Sequence, residues 1–157
     1  MKKILFVIIS LSALVLISCS SGDKKHDHSG HPTDEPKTAA DSLYNDVMAG
    51  HDEVMPKMGK IRGAQKEAQR LIDSIKALPP KAQAVAASLK TKLEELLKEL
   101  GYADFEMDKW MTEFNMDSAK ENLEQRVRYL ADEKLKVNKV KDAILKSLAK
   151  ADSLLKK

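Results

Sequence analysis

The chain has 157 residues, of which 32% are charged and only 4% are aromatic, and its formal net charge is +3. Residues 1–18 contribute two lysines and no acid, so the remainder holds 25 basic against 24 acidic side chains. This near-neutral balance argues against nucleic acid as a partner, because proteins that bind phosphate backbones carry a clear excess of positive charge.

The first nineteen residues, MKKILFVIISLSALVLISC, are organised like a secretory signal. Two lysines precede an apolar run, and this run is too short for a typical membrane span, which needs about 20 residues. The run ends in Leu16-Ile17-Ser18-Cys19, which resembles the lipobox of bacterial lipoproteins, with leucine three positions before the cut and cysteine directly after it. The resemblance implies that residues 1–18 are a signal peptide removed by signal peptidase II and that Cys19 is lipidated.

Lipidation of Cys19 predicts a membrane-anchored protein of the cell envelope, since two or three acyl chains anchor a protein stably. Cys19 is the only cysteine, so its modification leaves no thiol for a disulfide, a metal site or a nucleophile. Ser20 rather than aspartate follows it, which by resemblance to lipoprotein sorting in two-membrane bacteria favours the outer membrane over the inner. The alternative is an ordinary signal peptide or an N-terminal membrane anchor with an unmodified cysteine.

Residues 19–37 follow the cut and contain almost nothing apolar. Such a segment cannot bury enough surface to offset the entropy of ordering, so we predict a disordered, flexible tether that spans about 20–25 Å. Its three histidines could bind a divalent metal weakly, or they could reflect the polar composition of a linker. These residues are His26, His28 and His31.

From residue 38 to residue 157 the apolar residues recur in steps of three and four, which is the helical period. The sequence therefore predicts an all-α fold, an elongated antiparallel three-helix bundle with helices at 39–77, 80–115 and 118–156. No segment alternates with period two for long enough to indicate a strand. The apolar seam of the second helix begins at Val85 and Leu89, and the sustained heptad spacing also admits an oligomeric coiled coil.

Local signals set the expected boundaries of these helices. Thr38 to Asp41 and Ser118 to Glu121 are each spaced like a capping box, and Leu78-Pro79-Pro80 indicates a turn. Pro56 should kink the first helix, because proline has no N–H to donate to the carbonyl of Asp52. The fallback is a four-helix fold that is broken at Gly101.

Methionines are concentrated in two segments, MAGHDEVMPKM at 48–58 and MDKWM at 107–111. If the first two helices fold back about Pro79-Pro80, His51 faces residue 108, so the two segments meet at one end of the bundle. Thioether, imidazole and indole groups suit a soft monovalent ion such as Cu(I) or Ag(I). The candidate ligands are Met48, His51, Met55, Met107, Trp110 and Met111.

The same residues have a simpler explanation as core or as a partner-binding patch, which we favour over the metal site. Methionine fills irregular gaps and packs well on aromatic rings. His51 would then bond Asp104, Asp108 or the carbonyl freed by Pro56. In residue type only, the set resembles the Met/His/Trp site of periplasmic copper–silver chaperones, whose small β-barrel differs from the helices predicted here.

The mature region also resembles a family of short helical bacterial lipoproteins, sometimes labelled viral A-type inclusion protein. The segments HDEVMPKM and MDKWM carry this resemblance, which implies helices and a lipobox but no activity. The predicted bundle contains one histidine and no glycine-rich phosphate loop or nucleophile elbow, so an enzyme is not expected. The sequence favours a non-enzymatic scaffold or partner-binding module without a cofactor, whose partners would be the membrane and envelope proteins or peptidoglycan.

Overall fold

The computed structural model describes residues 38–155, which form a bundle of α-helices with no strand in that range. The helices are α1 (Ala39–Val54), α2 (Met58–Lys76), α3 (Pro80–Glu113) and α4 (Leu123–Leu155). α1 and α2 are parts of one rod that a short 3-10 turn interrupts, so the three predicted helical segments and the all-α bundle are confirmed. The predicted signal peptide, Cys19 and the tether lie outside the described residues.

The start of α1 and its break follow the sequence signals. The Thr38 side-chain oxygen accepts a hydrogen bond from the backbone N–H of Asp41 at 3.1 Å, which satisfies one of the free donors of the first turn. At the other end, the 3-10 turn Met55–Lys57 contains Pro56 and joins α1 to α2. The α-helix is therefore interrupted at Pro56, the residue at which the sequence predicts a kink.

The break at Pro56 changes the packing partner of the rod. α1 packs mainly on α4, whereas α2 packs mainly on α3. α1 and α4 run in the same direction, because Lys134 bonds Asp46 at 2.7 Å and Lys141 bonds Glu53 at 3.3 Å further along both helices. Beyond Pro56 the chain therefore diverges from α4, and α2 contacts α4 much less extensively than it contacts α3.

The turn between α2 and α3 is closed by proline and by one glutamine. Pro80 is the first residue of α3, where its missing N–H would have had no helical acceptor. The Gln83 side-chain amide donates to the carbonyl oxygens of Lys76 and Leu78, at 2.9 and 2.7 Å, and so satisfies acceptors at the end of α2. α3 then continues through Gly101 without interruption, so the four-helix alternative broken at that glycine is wrong.

The predicted start of the third helical segment at Ser118 is also wrong, because α4 begins at Leu123. Ala119 has a φ of 56°, a left-handed conformation that a helix starting at Ser118 could not contain. The cap is instead Asn122, whose side-chain oxygen accepts from the backbone N–H of Gln125 at 3.0 Å. The guanidinium of Arg126 donates to the Ser118 carbonyl at 2.8 Å and holds the turn against α4.

The hydrophobic core runs along the bundle as one cluster that includes residues of all four helices. Val85 and Leu89, which the apolar period assigned to the seam of the second helix, are exposed instead, and so is Leu123, the first residue of α4. Val85 and Leu89 lie in the second and third turns of α3. None of the helices within 38–155 combines the length and the apolar character needed to cross a bilayer.

Two glycines within helices provide a matched test of this packing. A Cβ added at Gly101 meets nothing within 4 Å, so Gly101→Ala should raise the free energy of unfolding by about 0.5–1 kcal/mol through better helix propensity. A Cβ at Gly50 would lie 3.1 Å from a methyl carbon of Val137, which is fully buried and β-branched. We expect Gly50→Ala to lower the free energy of unfolding by about 1 kcal/mol instead. Urea denaturation of both variants measures the difference, and equal gains would contradict the close contact.

Candidate functional site

A row of four rings lies where α1, α3 and α4 meet. The rings of His51 and Trp110 are tilted, with centroids 5.6 Å apart. Trp110 stacks on Phe114 at 4.9 Å, and Phe114 stacks on Tyr129 at 6.3 Å. The Tyr129 hydroxyl accepts a hydrogen bond from the backbone N–H of Asn115 at 2.8 Å, so the row also holds the chain where it leaves α3. Stacked aromatic pairs stabilise a fold by more than the burial of their surface area alone.

A buried carboxylate of α4 fixes the indole in this row. Glu133 is only 4% exposed, and its Oε2 accepts a hydrogen bond from Trp110 Nε1 at 2.9 Å. Its other oxygen accepts from the Lys136 ammonium at 2.9 Å. The pKa of Lys136 is raised above its ordinary value, most strongly by its hydrogen bond with Asp132 and next by its hydrogen bond with Glu133. The carboxylate is therefore satisfied on both oxygens, as a buried charge requires.

His51 makes a different hydrogen bond from those that we expected. Its Nδ1 lies 2.8 Å from a carboxylate oxygen of the adjacent Asp52. Asp104 and Asp108 instead accept hydrogen bonds from Arg62, at 3.0 and 3.5 Å, so the predicted bond from His51 to either of them is wrong. Because Asp52 is acceptor-only, Nδ1 carries the proton in the neutral ring, and Nε2 keeps its lone pair.

The structure divides the predicted metal ligands into one group packed around Trp110 and one group of less buried methionines. It brings His51 against Trp110, and it buries Met107 with Trp110 in the core cluster. Met48 is half-buried, whereas Met55 and Met111 are 40% and 38% exposed. The predicted meeting of the two methionine-rich segments is thus seen at His51 and Trp110.

Carboxylates, histidines and cysteines do not form a cluster suited to a metal within the described range. No group of three or more such residues is arranged to hold an ion in residues 38–155. The tether histidines His26, His28 and His31 lie outside that range. Thioethers and the single imidazole of His51 are thus the remaining soft-metal donors of the bundle.

No protein-family model matches this chain, and no curated protein or solved structure is significantly similar to it. The resemblance to short helical lipoproteins therefore rests on the sequence segments themselves.

α3 carries two exposed aromatic residues one helical turn apart, which we name the α3 aromatic surface. They are Tyr102 and Phe105, and Phe105 is 62% exposed. Their spacing of three residues places them side by side on the helix. Neither belongs to the buried seam of Leu100, Ala103 and Met107, although Tyr102 lines a groove against Ala143 of α4.

Glu133 was missed as a site residue, although the sequence contained a signal for it. The apolar seam of α4 passes from Leu130 to Val137, and the intervening core position at helical spacing is Glu133. A charged residue at a seam position needs a buried partner. The only tryptophan of the chain, Trp110, has an indole N–H that can donate a hydrogen bond to such a buried carboxylate.

Proposed function

We propose that this protein is a lipid-anchored, non-enzymatic component of the bacterial cell envelope, at the outer rather than the inner membrane. Its bundle binds an envelope partner, and lipidated Cys19 holds it at the membrane. The lipobox-like segment before Cys19 supports the anchor. The observation that carries the binding function is the α3 aromatic surface, because an exposed aromatic pair has no role in the core of a chain that is only 4% aromatic.

The chemistry of this surface favours a protein partner. Aromatic side chains supply large contact area at low entropy cost and are enriched at the centres of protein interfaces. Charged residues flank Phe105, with Asp104 on one side and Glu106 on the other. Asp104 accepts a hydrogen bond from Arg62 of α2, so one charged neighbour of Phe105 is already held in place. Peptidoglycan, the other predicted partner, offers sugar faces rather than an apolar pocket.

Site-specific photo-crosslinking in intact cells tests the partner. A photoreactive phenylalanine at position 105 should give one discrete crosslinked protein, and Tyr102→Ala in the same chain should abolish the crosslink. Position 135 is the matched control, because Leu135 is also a large exposed hydrophobic residue, 71% exposed, but lies on α4. Equal crosslinking from both positions, or none from 105, would refute a protein interface there. If the protein binds isolated peptidoglycan and this binding requires Phe105, peptidoglycan rather than a protein is the partner of the α3 aromatic surface.

Mass spectrometry of the intact protein tests the anchor separately. The wild-type chain should begin at Cys19 and carry two or three acyl chains in the outer-membrane fraction. Cys19→Ala should leave residues 1–18 attached and no acyl chain, because no thiol remains to be modified. Ser20→Asp is the sorting control and should move the acylated protein to the inner membrane. A mature, unacylated wild-type protein would refute lipidation.

A second candidate function is the binding of Cu(I) or Ag(I), and the geometry of His51 favours it. Metal-bound histidines usually donate their other ring N–H to a carboxylate, which is what Nδ1 does with Asp52. Met48 and Met55 lie three residues before and four residues after His51, on the same face of the chain. Nε2 of His51 and these two thioethers would be the soft donors, next to the indole of Trp110.

A titration of Ag(I) followed by Trp110 fluorescence tests this candidate. Binding at His51 should quench the fluorescence with saturation near one equivalent, because the two rings are 5.6 Å apart. His51→Ala should abolish the quenching, and Met55→Leu should weaken it at unchanged stability. Met116→Leu is the control, since Met116 lies outside this set and accepts a hydrogen bond from Tyr44. Quenching that His51→Ala leaves intact would rule out the site.

A further inference from the structure

The divergence of α2 from α4 beyond Pro56 leaves a groove between them, which we name the α2–α4 groove. The groove is open to solvent on one side and has a volume of about 710 Å³, which is within the range of about 300–1,000 Å³ typical of small-molecule sites in proteins. Apart from Asp152, the α4 wall is apolar, and in its middle the α2 wall is formed by small residues, a glycine and an alanine. The lining includes Gly63, Ala64, Leu145, Leu148, Ala151 and Leu155.

The two ends of the groove differ in charge. The ion pairs between α1 and α4 join residues that are 88 apart in the sequence. The same offset places Lys57 opposite Leu145, so Lys57 and Lys60 lie at that end of the groove. Neither lysine forms an ion pair within the part of the chain that the structure describes, and the Lys57 ammonium donates only to the Glu53 carbonyl. At the other end, Glu67 accepts two hydrogen bonds from Arg70, at 2.7 and 2.8 Å.

We propose that the α2–α4 groove binds the anion of a long-chain fatty acid. The alkyl chain would lie on the apolar wall of α4, and the carboxylate would bond the ammonium groups of Lys57 and Lys60. One basic end and one apolar wall match a ligand with one charged head and one tail. A second anionic group is disfavoured at the far end, where Glu67 and Asp152 line the groove. This site is separate from the α3 aromatic surface and does not depend on it.

Calorimetric titration with laurate tests the site in a chain of residues 19–157 that carries Cys19→Ser. This chain keeps the whole described core and has no thiol to acylate. We expect one equivalent of laurate to bind with a Kd on the order of 10 μM. Dodecyltrimethylammonium, with a similar tail and a cationic head, should not bind. Absence of saturable laurate binding up to about 1 mM, well above that Kd, would overturn the proposal.

Two leucine substitutions on α2 locate the ligand without disturbing the fold. Gly63 lines the groove and an added Cβ there meets nothing within 4 Å, so Gly63→Leu should fill the space and abolish binding. Gly59→Leu is the matched control, because Gly59 is equally open but does not line the groove. Both variants should unfold at or above the wild-type temperature, since leucine favours helix more than glycine does. Equal laurate binding by the two variants would place the ligand elsewhere.

The head-group contact is tested by charge. Replacing both lysines, with Lys57→Gln and Lys60→Gln, should weaken laurate binding about tenfold, whereas Lys81→Gln at the start of α3 should leave it unchanged. A lysophosphatidylglycerol with a twelve-carbon tail is the competing source of an anionic head. Binding of that lipid without binding of laurate would overturn the fatty-acid assignment.

Discussion

Replacing Trp110 by alanine should lower the free energy of unfolding by about 3–5 kcal/mol, as loss of a buried tryptophan usually does. The indole is almost wholly buried, stacks on Phe114 at 4.9 Å and bonds Glu133 at 2.9 Å. Truncation would open a cavity and also remove one donor from a buried carboxylate. Equilibrium denaturation in urea measures the loss, and a change below about 1 kcal/mol would contradict the burial of this residue.

A double-mutant cycle separates the hydrogen bond from the packing. Trp110→Phe keeps a ring but takes the donor from Glu133, and it should lower the free energy of unfolding by about 1–3 kcal/mol. Glu133→Leu in the wild-type background leaves the indole N–H without an acceptor and should also destabilise. Combining the two should recover much of the loss, because neither buried group is then unpaired. Simple additivity of the two changes would mean that the bond contributes nothing.

The helices were predictable because their apolar period and proline positions act locally. Steps of three and four residues identified the helical segments, and Pro56 marked the break between α1 and α2. The apolar period could not show that the chain packs on α4 before this break and on α3 after it. That exchange depends on the geometry of three helices together, and it creates the α2–α4 groove.

The start of α4 and the partner of Trp110 were not predictable for different reasons. Ser118 and Asn122 are both good capping residues, and the choice between them is made by the left-handed Ala119 and by Arg126, which reaches back to the Ser118 carbonyl. Glu133 occupies a seam position, but its contact with Trp110 joins residues on different helices. Sequence spacing indicates which face a residue lies on, whereas it does not indicate which atom it meets.

Met107 should prove to be a core residue rather than a metal ligand. It has no exposed surface and lies in the core cluster with Trp110 and Leu100. Met107→Ala should therefore lower the free energy of unfolding by about 2–5 kcal/mol. Met107→Leu has nearly the same volume and should change it by less than about 1.5 kcal/mol. Urea denaturation of the two variants gives both values.

The same pair of variants distinguishes packing from coordination by a second measurement. Leucine fills the space of methionine but has no sulfur, so a thioether that binds a soft ion cannot be replaced by it. If Met107 serves only the core, Met107→Leu should bind Ag(I) as the wild type does, while Met55→Leu should bind it more weakly. Loss of Ag(I) binding in Met107→Leu at unchanged stability would return Met107 to the ligand set. Such a site would then lie between α1 and α3 in the core, rather than on the solvent side of His51.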